Sequence, residues 1–387
     1  MVSLFKNSSE CCGCSACASC CPKNAIRMVS DECGYLYPEV QHSLCVDCGA
    51  CLRVCPFSTE VSIDASFERK AWAVKNRSDG ERVSSSSGAV FIELAKDVIA
   101  RSGVVYGVRQ DDDHAAVHDR AETLAEARLF QGSKYVQSNK SDTFKSVKSD
   151  LIAGRLVLFS GTPCEVAGLR QYLGRLSDNL ITVDIICHGT PGSRYLEEHF
   201  DNLEKKYHSK IKKMTYRNKE YGWRNQEIWI QFENGSVYHC PIWEDEFYRL
   251  FTGNYLLRDS CYSCPFASLD RPGDITIGDF WNIGNAAPEF EDSLGVSSVF
   301  LNTLKGLDLF TGVLDRFDVR PVSVSDCLQR NLQAPSPKPS DYDQFRDDLT
   351  KRGFEYCKKK YGSMGMGERL RRLLSPAKSA IKMIVGR

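Results

Sequence analysis

Along most of the chain, short apolar runs rich in β-branched residues alternate with apolar positions at helical spacing. Ala71-Trp72-Ala73-Val74 reads as a strand, and Phe91, Leu94, Ala95, Val98 and Ile99 after it fall on one face of a helix. Val104 to Val108 predicts the next strand. Residues near Glu122 to Leu129 and Phe144 to Ile152 predict helices, and Leu156 to Phe159 predicts another strand. A strand over Ile181 to Ile186 runs into Cys187-His188-Gly189, and a helical stretch with Tyr195, Leu196, His199 and Phe200 follows. This alternation predicts an α/β body, with helices around a mostly parallel sheet and functional loops at strand ends.

From Ile211 the pattern changes. Glu227 to Phe232 and Ser236 to Cys240 flank Asn234-Gly235, a hairpin signal. Pro335, Pro337 and Pro339 then punctuate the chain. Residues 1–60 differ from all of this, lacking long apolar elements and repeating one cysteine pattern twice. The expected parts are 1–60, 68–210, 211–335 and a tail, 336–387.

A chain of 387 residues exceeds the ~250–300 residues that one core usually serves. Lys+Arg and Asp+Glu both number 50, so no global basic field gathers nucleic acid. No apolar run reaches the ~18 residues of a membrane span, and Met1 to Cys12 lacks the features of a secretory signal. The expected location is the cytoplasm. Of 18 cysteines, 11 fall within the first 55 residues, which in such a chain points to metal ligation rather than disulfides.

Cys11, Cys14, Cys17 and Cys21-Pro22 follow C-x2-C-x2-C-x3-C-P, and Cys45, Cys48, Cys51 and Cys55-Pro56 repeat it. In this spacing three cysteines of one run and the fourth of the other wrap each cubane, so Cys11, Cys14, Cys17 and Cys55 should hold one [4Fe-4S] cluster and Cys45, Cys48, Cys51 and Cys21 a second. Gly13 and Gly49 suit the tight turns that aim backbone amides at sulfur. A pair of zinc knuckles is the alternative, but zinc does not require two three-cysteine runs each closed by Cys-Pro. Cys12 and Cys20 lie outside the spacing and read as extra buried thiols.

Cys164, Cys187, Cys261 and Cys264 form a more scattered group. They suit a third cluster, or else one C-x2-C zinc or redox pair plus two buried cysteines. Ser84 to Gly88 precedes a helix start, where hydroxyls and free amides favour phosphate, although a serine N-cap gives the same pattern. No Gly-x-Gly-x-x-Gly follows a predicted strand.

Eight ordered motifs carry a resemblance over about residues 8 to 340: Cys-Cys-Gly-Cys-Ser-Ala-Cys at 11–17, Ser-Ser-Ser-Gly at 85–88, Gly-Ser-Lys-Tyr-Val-Gln-Ser at 132–138, Phe-Ser-Gly-Thr-Pro-Cys at 159–164, Cys-His-Gly at 187–189, Tyr-Gly-Trp at 221–223, Cys-Tyr-Ser-Cys-Pro-Phe at 261–266 and Asp-Ile-Thr-Ile-Gly-Asp-Phe-Trp at 274–281. With them the chain resembles the coenzyme F-420 hydrogenase/dehydrogenase beta-subunit family, in the form with an N-terminal two-cluster ferredoxin. The resemblance implies an oxidoreductase in which two or three [4Fe-4S] clusters exchange electrons with FAD. It makes 1–60 a bacterial-type ferredoxin domain, 68–210 an α/β FAD-binding domain and 211–335 the C-terminal part of the beta subunit.

By the same resemblance Ser86, Ser87 and Gly88 would contact the FAD phosphates, Lys134 and Tyr135 would sit beside the cofactor, and Gly161 and Thr162 would complete its rim. His188 would act as a proton donor, with a structural histidine as the alternative. Implied partners are a ferredoxin, a deazaflavin or another redox protein, with an organic, conceivably sugar-linked, acceptor. The chain departs from the family pattern at Ala89, where a second glycine is common, at Glu165, where glutamine is frequent, and at Asn282, where glycine often stands. Residues 368–387 hold six Lys or Arg against one Glu, with Leu370, Leu373, Leu374, Ala377, Ile381 and Ile384 at helical spacing. They predict a basic amphipathic helix, packed on its own domain or making peripheral membrane contact.

Overall fold

The computed structural model describes residues 3–59, 67–175 and 178–365, so the basic helix expected over 368–387 lies outside the described residues. Two short helices, α1 (Ala16–Cys20) and α2 (Ala50–Arg53), and an antiparallel pair, β1 (Ile26–Ser30) and β2 (Leu36–Val40), make up the N-terminal module. The two cysteine runs fold alike. Gly13 and Ser15 in the first, and Asp47 and Gly49 at the same places in the second, all have φ between 50° and 70°. Two of these are not glycine, and each such residue in the left-handed region costs about 1 kcal/mol. So much curvature in so short a segment turns the cysteines of each run inward around a common hollow.

The body is built on β3 (Lys70–Asn76), α3 (Asp79–Val83), α4 (Val90–Ala100), β4 (Val104–Gln110), β5 (Ala116–Ala121), α5 (Leu124–Arg128), α6 (Thr143–Ile152), β6 (Val157–Gly161), α7 (Pro163–Leu173), β7 (Leu180–Ile185) and α8 (Ser193–Tyr207). Next come β8 (Ile211–Asn218), β9 (Glu227–Phe232), β10 (Val237–Pro241), α9 (Glu246–Thr252), β11 (Ile275–Asp279), β12 (Ser297–Leu301) and β13 (Phe317–Val322). Eight strands join in the order β13-β3-β12-β11-β7-β6-β4-β5. The sheet takes strands from both sides of residue 210, so the segments expected as 68–210 and 211–335 share it. Strands β8, β9 and β10 form a separate antiparallel sheet that contains the predicted hairpin.

The expectation of a mostly parallel sheet is corrected. Only β11–β7, β7–β6 and β6–β4 run parallel, while β13, β3, β12 and β5 join antiparallel and make the sheet mixed. Part of the cause is local: β4 returns into β5 through a short turn, too short for the crossover that a parallel neighbour needs.

Helix α4 packs on one face of the sheet, with Leu94 and Val98 against Val105, Val183 and Phe310. On the other face Phe144 of α6 and Val166 and Leu169 of α7 share a core with Phe159, and into that core the N-terminal module inserts Cys14 and Ala16. The approach is close enough that a Cβ on Gly168 would stand 2.6 Å from the Cys14 sulfur. The β1–β2 end docks on a second core, where Tyr35 lies among Tyr195, Leu256 and Leu257. The module is thus seated against α7 and the loop before Cys261. Among the described residues no helix is long and apolar enough to cross a membrane.

Candidate iron–sulfur sites

All 18 cysteines are free thiols. In the module, one hollow is bounded by Cys21, Cys45, Cys48 and Cys51, with Pro22, Ile26, Val40 and Gly49 around them. A second is bounded by Cys11, Cys14, Cys17 and Cys55, with Gly13, Met28 and Pro56. Each hollow holds one of the two interleaved sets expected from the spacing. Cys51 also reaches the rim of the second hollow, so the two are neighbours. Each set has one buried cysteine, Cys51 in the outer and Cys14 in the inner, and the outer set alone has an exposed one, Cys48.

Among the described residues no group of three or more His, Cys, Asp or Glu converges as the shell of a single metal ion. A cubane is bound differently, each cysteine holding its own iron, and the hollows suit that donor set. Burial, with Cys14, Cys11 and Cys55 nearby, pushes the Cys17 thiol well up. Thiols so placed keep their protons until a positively charged centre displaces them.

The third group converges too, which spacing alone did not establish. Cys164 lies in the first turn of α7, Cys187 just beyond β7, and Cys261 and Cys264 in and after the 3-10 turn Asp259–Ser263. Burial raises Cys187 well above its ordinary value, and Cys261, Cys164 and Cys264 add to the rise. Burial likewise pushes Cys261 up to about 11 and Cys264 up to about 12, each with Cys164 among the neighbours responsible. Two buried contacts hold the loops in place. Arg271 Nη2 donates to Asp184 Oδ1 at 2.8 Å and Nη1 to the Phe266 carbonyl at 2.9 Å, clamping the segment after Cys264 onto the end of β7. Cys261 N–H donates to the Arg258 carbonyl and Arg258 N–H to that of Thr190, tying the same loop to the segment after Cys187.

Cys12, expected to be an extra buried thiol, lies between the inner set and the third. Hydrogen bonding to Cys14 and Cys164 raises it well above the thiol range. Its only sequence signal was the doubled Cys11-Cys12. Beside these sulfurs runs a buried polar chain that sequence reasoning did not foresee. Lys140 Nζ pairs with Glu165 Oε1 at 2.7 Å and donates to the Ser138 carbonyl at 2.9 Å. Ser138 Oγ donates to Glu165 Oε1 at 3.2 Å, and lies 2.8 Å from Nδ1 of His118. Burial alone would raise the Glu165 carboxyl, but Lys140 and His118 bring it down to about 2. Burial takes His118 down to about 4.

The residues assigned by resemblance to a flavin are placed as follows. Ser86 Oγ meets Ser133 Oγ at 2.7 Å and Ser87 Oγ meets Ser297 Oγ at 2.9 Å, while the Gly88 N–H donates to Ser297 Oγ. These groups therefore already have protein partners. Ala89 takes the left-handed conformation, φ 59°, and α4 begins behind it with no side-chain cap. Its first-turn amides are available to an anion. Lys134 Nζ donates to the carbonyls of Leu129, Gln131 and Gly132, and burial lowers it to about 7.

Tyr135 packs against Tyr216, Tyr248 and Phe251. Gly161 ends β6, and the Thr162 N–H donates to Glu165 Oε2 at 2.8 Å. His188 stacks edge-on to Phe251, its buried Nε2 makes no close hydrogen bond among the described residues, and burial lowers its pKa against the Phe251 backbone, Asn254 and Asn331. Sequence reasoning missed Arg217, buried, paired with Asp279 at 2.7 Å, and with Nε and Nη2 unpartnered among the described residues. It also missed Lys219, whose Nζ donates to the Ser87 carbonyl at 3.4 Å.

Two stretches of the chain match known protein families. A family model for the C terminus of the coenzyme F420 hydrogenase/dehydrogenase beta subunit matches residues 154–324, the stretch that contains Cys164, Cys187, Cys261 and Cys264. A 4Fe-4S binding domain matches residues 38–59, spanning the second cysteine run. No curated protein gives a significant match. A xenon-derivatised structure of the F420-reducing [NiFe] hydrogenase complex from Methanosarcina barkeri is a distant likeness. It has 15% identity and a TM-score of 0.47, covering 77% of this chain and 93% of that one. Residues 154–324 thus match the C-terminal part of the coenzyme F420 hydrogenase/dehydrogenase beta subunit, and residues 38–59 of the N-terminal module match a 4Fe-4S binding domain.

Proposed function

We propose that the chain is an iron–sulfur flavoprotein oxidoreductase that passes electrons between [4Fe-4S] clusters and FAD, serving an organic substrate or a deazaflavin. One observation carries the reading: three four-cysteine sets follow one another through the molecule, from the outer set through the inner set to the third, with Cys12 beside both of the last two. Cys21, Cys45, Cys48 and Cys51 would hold the outer cluster, Cys11, Cys14, Cys17 and Cys55 the inner one, and Cys164, Cys187, Cys261 and Cys264 the third. Soft thiolates in short, amide-rich turns are what such clusters require.

When bound, a flavin supplies the exchange between single-electron carriers and two-electron organic chemistry. The chain's own contribution at that site would be positional and electrostatic. The uncapped first turn of α4 offers amides to a phosphate, and Ser86, Ser87 and Gly88 hold that loop against Ser133 and Ser297. Arg217 brings a buried guanidinium with two free donor atoms among the described residues, next to Lys219. Lys134, Tyr135, Gly161 and Thr162 would complete the surround. His188, neutral and with a buried Nε2 that makes no close hydrogen bond among the described residues, is the candidate for holding a proton.

The test is anaerobic reconstitution with iron, sulfide and FAD, followed by desalting and reduction with dithionite or a reduced deazaflavin. Retained flavin that bleaches as the clusters reduce supports the reading, and a cluster-loaded protein that keeps no flavin overturns the flavin part of it. The matched family is named for a beta subunit, which favours a second reading as a relay subunit within a larger complex. Turnover by the isolated chain distinguishes the two.

A further inference from the structure

Arg258 is a guanidinium buried to 1% exposure. Its Nε donates to the Cys11 carbonyl at 2.6 Å, its Nη2 points at the Cys11 sulfur at 3.6 Å, and its Nη1 reaches Gln137 Oε1 at 3.3 Å. The guanidinium lies 3.9 Å from the Tyr37 ring centre and 5.7 Å from that of Tyr35. The groups acting most on its charge are the thiols of Cys11, Cys12 and Cys261 and the Tyr37 phenol; among the described residues no carboxylate forms an ion pair with it, and that of the adjacent Asp259 accepts from Ser8 Oγ. A cation taken out of water costs several kcal/mol unless an anion faces it. Neutral thiols do not supply that anion. A cubane carried by four thiolates does.

We propose that Arg258 is the counter-charge of the inner cluster and sets its reduction potential above that of the outer one. The proposal rests on the reading that Cys11, Cys14, Cys17 and Cys55 hold a cubane. Reduction of such a centre takes up one electron from the donor, breaks no bond and adds one negative charge. A fixed buried cation favours that reduced form, because net charge and hydrogen bonds to sulfur tune these potentials. Among the described residues the outer set has no buried equivalent: Lys23 lines its hollow from an exposed position. Arg53 Nη1 donates to the Cys48 carbonyl at 3.1 Å, but from an exposed position where water and salt screen its charge. An electron arriving at the outer set therefore runs downhill to the inner one. Arg258 also stands three residues before Cys261, on the loop that carries half of the third set.

The backbone is fitted to this residue. A Cβ on Gly13 would lie 3.1 Å from Arg258 Nη1 and 2.4 Å from Gln137 Nε2, at a φ of 70° that already favours glycine.

The experiment is an EPR-monitored redox titration of reconstituted full-length wild type, Arg258→Gln and Arg258→Lys, with iron and sulfide counted on each sample. In Arg258→Gln with full iron, one cluster should become at least tenfold harder to reduce, a downward shift of about 59 mV for one electron, while another stays in place. Arg258→Lys, which keeps the charge, should stay near wild type. Unchanged potentials in fully loaded Arg258→Gln overturn the proposal, as does an equal fall in both variants, which would mark a packing effect. Should Arg258→Gln fail to retain iron, Arg258→Lys decides alone: a near-native potential supports the proposal and a tenfold loss overturns it. Wild type without acid-labile sulfide is a separate failure, that of the cluster reading itself.

Discussion

Replacing Lys140 with Met removes the cation from a buried pair in which neither partner is open to water: the side chains of Lys140 and Glu165 are 1% and 8% exposed. Against its ordinary value of 4.5, the Glu165 carboxyl stands at about 2 because Lys140 and His118 outweigh its burial. At 1.36 kcal/mol per tenfold, that difference corresponds to about 3 kcal/mol of folding stability. The folded value is the depressed one, so this stability is present above 4.5 and lost only as pH falls from there towards 2. Between pH 5.5 and 8 the wild type should therefore show no dependence from Glu165.

In Lys140→Met, His118 and the Thr162 N–H still oppose the burial of Glu165, but without the cation its folded pKa should rise above the unfolded one, which reverses the sign. The variant should be less stable by about 3–5 kcal/mol at pH 8, with the gap to wild type narrowing as pH falls to 5.5. Urea unfolding of anaerobic protein, followed by tryptophan fluorescence at both pH values, measures this. The double variant Lys140→Met, Glu165→Met should recover most of the loss, as apolar replacements of buried pairs often do. A single variant within about 1 kcal/mol of wild type at pH 8, a size expected of an ordinary surface change, would refute the reasoning.

Ala89→Gly should stabilise the protein by about 1 kcal/mol, because Ala89 is left-handed at the N-cap of α4; thermal unfolding reads it, and a lower melting temperature would count against the strain. Asp184→Asn leaves Arg271 buried without its carboxylate and should cost about 3–5 kcal/mol. It should also loosen the Cys261–Cys264 loop, so that iron content falls by the third cluster; unchanged iron and stability would contradict the clamp. Cys48→Ser, at the exposed edge of the outer hollow, should remove one cubane's iron and sulfide and leave the remaining EPR signals, whereas loss of all clusters would show that the sets do not assemble separately.

The N-terminal sets were legible because their information is local. Each run of cysteines is set by a few left-handed turn residues, and Gly13 and Gly49 announce two of them. Convergence of the third set was not, since Cys164 and Cys264 meet only through the sheet order and through Arg271 reaching Asp184. Arg258 left a faint trace, a cation next to Leu256-Leu257 just ahead of Cys261, indistinguishable in sequence from a surface arginine. The direction of the strands was misjudged because an apolar run such as Ala71–Val74 carries no mark of parallel or antiparallel pairing, and Ser297–Leu301, which pairs antiparallel with it, was not read as a strand. Ala89 is informative in the opposite sense: the glycine-like backbone is kept although glycine is absent.

The central claim, that the three converging cysteine sets hold iron–sulfur cubanes, is tested most directly by counting iron, acid-labile sulfide and zinc in oxygen-free protein, with EPR after dithionite. Three occupied sets predict about twelve irons and as many sulfides per chain, with signals from reduced clusters. Zinc in place of iron, with no labile sulfide and no signal, would contradict it.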